Sequence, residues 1–467
     1  MIRSVCFLER VRNLAEKVPF WKQKIRLAPT QIIALVFAAI ILVGTLLLSL
    51  PASSRDGVSP GFLPALFTAT SATCVTGLVM FDTWTQWSGF GQTVIICLIE
   101  IGGLGFMSAA SLVIFLLRKK VGLRQRMVMA QALSVNDMAS IVRLQKVVLV
   151  GSLLVQFTGA LILAAHFWPQ HGPTQAIKWG VFHAISAFCN AGFDIFGCLK
   201  EGGSLTLFQS DPVVLLTLGS LVVIGGLGFF VWEEVIRVHN WKRFSVYTKL
   251  VLLMSGILLL LGMVGFCVLE WNNPKTLGNM PWYDKLLGGL FQSITVRTAG
   301  FDALGQGGLA DGSKALSMML MLIGGSSGST AGGVKTVTMM VLLLFLWSRI
   351  RGKGSVCIFK HSVPDNQVMD AMSIVSIVVG LAIFGGLFIS ATSPIGFTDG
   401  LYESVSALAT VGLTTGVTTS LSTPAQILMI VYMYFGRVGV LTISLGFLMG
   451  NQAQERFRYA NTNLLIG

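Results

Sequence analysis

The chain has 467 residues, of which 54% are hydrophobic and only 11% charged, and its net charge is +13. Ordinary soluble domains carry about 25% charged residues, so this composition excludes a soluble globular protein and points to one embedded in a lipid bilayer. The positive charge does not signal nucleic acid, because Lys and Arg are sorted to one side of a series of apolar stretches.

Eight such stretches follow along the chain, roughly at 31–50, 91–117, 147–167, 212–232, 249–269, 315–347, 372–391 and 424–449. Each is long enough to cross ~30 Å of hydrocarbon. Residues 1–30 are basic and lack an apolar core ending in a cleavage site, so no cleaved signal peptide is expected and the first span serves as anchor. An even number of spans puts both termini on one side. That side holds 24 of the 33 Lys and Arg, against 6 on the other, with Arg297, Lys335 and Arg437 at membrane depth. The excess predicts cytoplasmic termini. The outer side carries 11 acidic residues, a field that draws cations toward it. Seven scattered cysteines form no CxxC pair and read as reduced, mostly buried small residues.

Between spans lie short amphipathic segments, Phe62–Thr73, Trp179–Phe188, Tyr283–Val296 and Gly400–Thr410. Ten to fourteen helical residues rise only ~15–21 Å, about half a membrane, which predicts re-entrant helices. Each leads into a glycine loop: TCVTGL (73–78), FCNAGF (188–193), RTAGF (297–301) and ATVGL (409–413). Their glycines, Gly77, Gly192, Gly300 and Gly412, are 115, 108 and 112 residues apart. Ser-Ala precedes the glycine at the same offset in three copies, as Ser71-Ala72, Ser186-Ala187 and Ser406-Ala407. A second register aligns downstream: IGGLGF (101–106), IGGLGF (224–229), IGGSSG (323–328) and FGRVGV (435–440).

The expected fold is therefore an all-α polytopic membrane protein with four tandem span–pore helix–span repeats, eight transmembrane helices in all, around one central pore. The divisions are an N-terminal cytoplasmic segment 1–30, repeat 1 at 31–117, a cytoplasmic linker 118–146, repeat 2 at 147–238, repeat 3 at 249–347, a linker 348–371, repeat 4 at 372–449 and a cytoplasmic tail 450–467.

A pore that passes a bare cation needs rings of oxygen ligands, which backbone carbonyls supply. Glycine reaches the positive φ angles that aim successive carbonyls to one side. The predicted potassium-binding residues are Val75, Thr76 and Gly77; Asn190, Ala191 and Gly192; Thr298, Ala299 and Gly300; and Thr410, Val411 and Gly412. Potassium is the only metal ion expected, as transported ion, with no cofactor in this chain. Arg297, three residues before Gly300, is expected to brace its loop from behind. His183 reads as a satisfied interior residue.

The run 323–336 interrupts the sixth span with glycine, serine and threonine, each of which weakens helix relative to alanine. It imitates a phosphate loop, but Val334 stands where lysine is required and Lys335-Thr336 comes one place late. The reading is a broken helix under the filter. The gate residues are Gly324, Gly325, Ser326, Ser327, Gly328, Ser329, Thr330, Ala331, Gly332, Gly333, Lys335 and Arg437. Lys335 would anchor the lower end of the loop. Arg437 breaks the second register, where the other copies have Gly103, Gly226 and Gly325; a charge at that depth faces the bundle interior and would repel cations and bond the loop. Glu100 is a candidate partner for Arg437, a cation site or a loop acceptor.

On these loops the chain resembles the Trk/Ktr/HKT superfamily of cation transporters over nearly its whole length. It is most similar to the Ktr-type membrane subunit, because no extra helix pair precedes the first repeat. The resemblance implies four covalently linked filter units, an intramembrane loop in the third repeat that closes the pore from below, and potassium as the preferred ion. In plant relatives a serine in place of the first-loop glycine goes with sodium selectivity; here that position is Gly77. Only ATVGL approaches the symmetric TVGYG of tetrameric channels, which leaves room for weaker selectivity over sodium. The resemblance also implies a homodimer on a cytoplasmic nucleotide-binding ring (KtrA-like or TrkA-like), contacted by 118–146, 348–370 and the tail. The expected function is potassium uptake across the cell membrane through a channel-like pore. The alternatives are a sodium or non-selective monovalent cation pathway, and a coupled secondary transporter. No HExxH, GxSxG or clustered carboxylates support an enzyme.

Overall fold

The computed structural model describes residues 29–105, 141–352 and 354–439. It is mostly helical. The main helices are α1 (Pro29–Leu48), α2 (Phe62–Thr73), α3 (Gly89–Leu104), α4 (Ile141–Cys189), α5 (Pro212–Leu227), α6 (Phe229–Val238), α7 (Val246–Glu270), α8 (Trp282–Thr295), α9 (Asp311–Leu322), α10 (Thr336–Ile350), α11 (Asp365–Thr392), α12 (Phe397–Leu408) and α13 (Thr423–Val438). A small antiparallel hairpin pairs Cys357–Ile358 with His361–Ser362 between α10 and α11.

The helices start where the sequence supplies acceptors for orphan amides. Asp211 accepts from Val213 and Val214, with Pro212 opening α5. Ser88, Ser245 and Ser422 do the same for α3, α7 and α13. The short helices fall where amphipathicity predicts them. α2 matches 62–73, while α8 and α12 begin one and three residues earlier than expected. The second short helix is the end of α4, set off from its long part by a break at Gly172 (φ 75°) between Pro169 and Pro173. α2, at 12 residues, is only ~18 Å long.

Three short helices pack on long ones, α2 on α1, α8 on α7 and α12 on α11, and the end of α4 lies against its own long part, where a Cβ on Gly180 would stand 2.6 Å from the Ala160 carbonyl oxygen. Apolar packing between helices gains little over lipid contact inside a bilayer, so close approach and polar links matter. Ser293 of α8 donates to the Leu259 carbonyl of α7 (2.8 Å), and Ser404 of α12 to the Ala382 carbonyl of α11 (2.9 Å). Gly262 and Gly385 make room for these serines: a Cβ on either would lie 2.2 Å from the hydroxyl.

Four described helical stretches are long and apolar enough to cross a membrane, or five when α5 and α6, bent by 94°, are taken as one; α3 and α10 are shorter apolar helices. The sequence placed only one break, in the sixth span. The structure has a break in every copy of the second register. Gly105, Gly228 and Gly439, the fifth residue of their copies, have φ of 81°, 94° and 94°, and Gly328, the sixth of the third copy, has φ of 68°. Positive φ at glycine ends a helix, and α3, α5 and α13 all stop one residue before it. The linker 118–146, the end of the second span, the end of the last span and the tail lie wholly or mostly outside the described residues.

Candidate functional site

The four glycine loops meet. A Cβ on Gly77 would stand 2.5 Å from the Ala191 carbonyl oxygen, one on Gly192 2.7 Å from that of Ala299, one on Gly300 2.4 Å from that of Val411, and one on Gly412 2.0 Å from that of Thr76. Each glycine thus faces the carbonyl of the next loop in a closed cycle of four. Only a residue without Cβ fits there.

The loops share one backbone form. The glycines have φ of 96°, 69°, 82° and 92°. Two residues earlier, Val75, Asn190, Thr298 and Thr410 also have positive φ, at 58°, 60°, 68° and 52°. Three of these are β-branched, and each costs roughly 1–2 kcal/mol in this region. The same strain recurring at four matching places marks a constrained backbone rather than a local accident. These left-handed residues alternate with Thr76, Ala191, Ala299 and Val411, whose carbonyls face the glycines of neighbouring loops.

The short helices hold this backbone. Thr76, Ala191 and Val411 donate their amides to the carbonyls of Ser71, Ser186 and Ser406, each at 2.8 Å. The same serines bond through their hydroxyls, to Gly77 N and Gly412 N at 3.1 Å and to the Phe193 carbonyl at 2.7 Å. In the third loop Thr295 replaces serine and donates to the Phe301 carbonyl at 2.7 Å. The Ser-Ala pairs, visible in the sequence as a repeat marker, thus fasten the loops.

A second brace comes from the position nine residues before the glycine. In α12, buried Glu403 accepts from the Thr414 hydroxyl, the Thr415 amide (3.3 Å) and the Thr418 hydroxyl (2.9 Å). In α4 the matching residue is His183. Its Nδ1 lies 2.8 Å from the Trp179 carbonyl, and its Nε2 accepts from the Ile195 amide at 3.2 Å. Thr415 and Ile195 are each three residues past their glycine. His183 is a satisfied interior residue, as expected. Sequence reasoning missed Glu403, although its offset from Gly412 matches that of His183 from Gly192.

On the far side of the glycines is a vestibule of about 880 Å³, lined by all four of them together with Asp82, Asp194, Asp302 and Thr414. Asp194 and Asp302 each stand two residues past a loop glycine. Withdrawal from water, reinforced by Asp82, raises the Asp194 carboxyl to about 6, against bonds from Phe196 N and Ser204.

On the near side, the loop between α9 and α10 lies against the fourth glycine loop. A Cβ on Gly332 would lie 1.9 Å from Thr410 Oγ1. The loop is closed on itself by Gly324 N to the Val334 carbonyl (2.9 Å), Thr336 N to the Gly325 carbonyl (3.1 Å) and Ser329 Oγ to the Ser326 carbonyl (2.6 Å). It is also tied to the broken α5–α6 pair. Ser326 N donates to the Gly226 carbonyl at 3.1 Å, Thr330 N to that of Gly225 at 3.3 Å, and Phe229 N to that of Gly328 at 2.9 Å. Thr330 Oγ1 reaches the Phe188 carbonyl (3.1 Å), and the Tyr247 hydroxyl of α7 reaches the Ser327 carbonyl (2.9 Å). Nothing in the sequence pointed to Tyr247.

The second register explains how the loop enters. A Cβ on Gly102, Gly225 or Gly436 would collide with the carbonyl of Thr73, Phe188 or Leu408, each four residues before a loop glycine. At Gly324 the atom met is instead the Gly332 carbonyl. The loop has taken the place of a helix-end contact.

Arg437 donates to the Thr330 carbonyl of the loop and to the carbonyls of Gly102 and Gly103, the last at 2.9 Å. Lys335 Nζ donates to the Ala331 carbonyl at 2.8 Å, within the loop. The candidate pairing of Glu100 with Arg437 is not what forms. Glu100 accepts from Gln156 Nε2 at 2.9 and 3.2 Å and from Cys189 Sγ at 3.3 Å, and Arg437 bonds carbonyls instead. Nor does Arg297 brace its loop by a side-chain bond: its Nε is buried without an acceptor.

The chain matches a family described as TrkH, cation transport protein, over residues 13–457. It is 39% identical to the Ktr system potassium uptake protein B of Bacillus subtilis, over 97% of this chain and 99% of that protein. It is 36% identical to the potassium/sodium uptake protein NtpJ of Enterococcus hirae, over 95% and 98%. The fold is similar to that of the potassium transporter TrkH from Vibrio parahaemolyticus, with TM-score 0.70 at 18% identity, covering 91% of this chain and 86% of that one. The chain belongs to the TrkH family of cation transport proteins and is an integral membrane protein.

Proposed function

We propose that the protein takes up potassium across the cell membrane through a channel-like pore, with the four glycine loops as selectivity filter. The observation that carries this reading is the closed cycle in which each filter glycine faces the carbonyl of the next loop. Carbonyl rings of that kind replace a cation's hydration shell. Two long relatives named as potassium uptake proteins agree with it. In this reading the ions held by Val75 to Gly77, Asn190 to Gly192, Thr298 to Gly300 and Thr410 to Gly412 are potassium, and the loop at 323–336 with Arg437 is the gate. The chain has eight spans in four repeats, and the basic segments on both termini's side face the cytoplasm. It works as a homodimer with a cytoplasmic nucleotide-binding ring; that relatives are named as one protein of a Ktr system supports a partner subunit.

The experiment is growth of a bacterium deficient in potassium uptake at low external potassium. The parent chain rescues growth and Gly77→Ser does not. Equal rescue by both, or none by either, sinks the reading. A second reading, passage of sodium beside potassium, is favoured by the NtpJ relative, named for both ions. Rubidium against sodium uptake in the same cells decides between them.

A further inference from the structure

Asp302 lines the vestibule together with Gly300, two residues before it. Its two oxygens are bonded unequally. Oδ1 accepts from the amides of Leu304 (3.2 Å) and Gly305 (2.8 Å) and from the side chain of Gln306 (2.7 Å). Among the described residues Oδ2 accepts only from the Gln306 amide, at 3.1 Å. A carboxylate oxygen offers about two lone-pair sites. Oδ1 is therefore filled, and Oδ2 keeps an acceptor site to spare.

Gln306 is itself gripped. Its Nε2 also donates to Gln292 Oε1 (3.2 Å), and its Oε1 accepts from Gln292 Nε2 (2.7 Å) and from the Tyr402 hydroxyl (2.9 Å). Gln292, Gln306 and Tyr402 are all buried. Gln292 belongs to α8 and Tyr402 to α12, so a hydroxyl of the fourth repeat orients an amide that holds a carboxylate of the third. Turned over, the Gln306 amide would aim its oxygen at Asp302 and its NH2 at that of Gln292. Buried polar groups are costly unless bonded, and a fully bonded set fixes one arrangement. The device does not recur. The offsets of Gln292 and Gln306 from their glycine are held by Ala69 and Thr83, Ala184 and Cys198, and Ser404 and Thr418 in the other copies.

We propose that Asp302 Oδ2 contacts the cation as it enters the ring from the vestibule, and that Gln306, oriented by Gln292 and Tyr402, is the positioning residue for that contact. This rests on the uptake reading above. A carboxylate that cannot swing offers the cation a preplaced oxygen, and no ordering cost is charged when the ion arrives.

The test is the initial rate of uptake against external rubidium in cells carrying the full chain. Asp302→Asn should raise the half-saturating concentration about threefold to tenfold, the order expected of one charge close to its ion in a wet site, with a smaller change in maximal rate. Asp302→Glu keeps the charge and displaces it. It should lose most of the same affinity, and affinity equal to the parent's overturns the contact. Tyr402→Phe removes only the hydroxyl and should raise the half-saturating concentration about twofold to threefold. Combined with Asp302→Asn it should add nothing, since the group it positions is gone. A further loss of the same size in the double variant, or a fall in maximal rate alone, overturns the positioning role. If the parent saturates with sodium and not with rubidium, the potassium reading falls and the same series is judged on sodium. Saturable uptake that no variant shifts overturns this proposal alone.

Discussion

Gly412 lies so close to Thr76 that a single added carbon would come within 2.0 Å of its carbonyl oxygen. That distance is well inside contact, and both partners are backbone, so neither can swing aside. Gly412→Ala should therefore abolish rubidium uptake. Gly416 has nearly the same φ, 93°, and a Cβ added there would meet nothing within 4 Å. Gly416→Ala meets only backbone strain of roughly 1–2 kcal/mol and should keep uptake within about twofold. Similar losses in both variants would show that strain, not the ring, sets the requirement.

Arg437→Ala removes the donor to the Thr330, Gly102 and Gly103 carbonyls. Bonds from a charged group contribute about 1.5–3 kcal/mol each, so losing even one shifts the loop's closed equilibrium by about tenfold or more. Basal cation leak through the isolated chain in liposomes should rise by that factor. Leak equal to the parent's would rule out the barrier role.

Tyr247→Phe deletes one hydroxyl that holds the Ser327 carbonyl. The packing of the ring is unchanged and the loss is about 1 kcal/mol. Leak should rise about threefold to fivefold, less than for Arg437→Ala. Because Tyr247 is on α7 and Arg437 on α13, the double variant reports whether the two ties act independently.

Glu403→Leu leaves Thr414, Thr415 and Thr418 without their shared acceptor. The fourth loop then loses its outer brace, and discrimination of rubidium from sodium should fall about tenfold with a smaller change in total flux. Glu403→Gln retains an oxygen for the Thr415 amide and should lie between. A flux ratio that stays at the parent's value in Glu403→Leu would show the brace to be irrelevant to selection.

Acidification should slow uptake in a window set by Asp194, whose carboxyl is raised to about 6. Above that value it is ionised and adds to the field of the vestibule; as the pH falls through 6 it is neutralised. Uptake at low external potassium should drop about twofold to threefold between pH 7 and pH 5. Asp194→Asn should start at the lower rate and lose that step.

The short helices were legible because half a membrane of amphipathic sequence admits few other fates, and the glycine loops because four matching residues recur at nearly equal spacing. Other features are invisible to spacing. The positive φ of Val75 and Thr410 runs against their own preference, in backbone fastened by bonds to the carbonyls of the preceding short helix. Tyr247 acts on a loop 80 residues away through one hydroxyl. The breaks at Gly105 and Gly439 were hidden because the apolar sequence continues past them; hydropathy measures affinity for lipid, not backbone direction. Glu100 was ambiguous for a related reason, since its partners Gln156 and Cys189 come from another part of the chain.

Arg437 stands at one of four matching positions, the others being glycine. An assembly of four identical subunits has no such choice: one arginine per subunit means four guanidinium groups around the axis, and none means no latch at all. Joining the four walls in one chain makes a single charge attainable. In the proposed reading the barrier is then set one charge at a time, apart from the ring of loops that selects the ion.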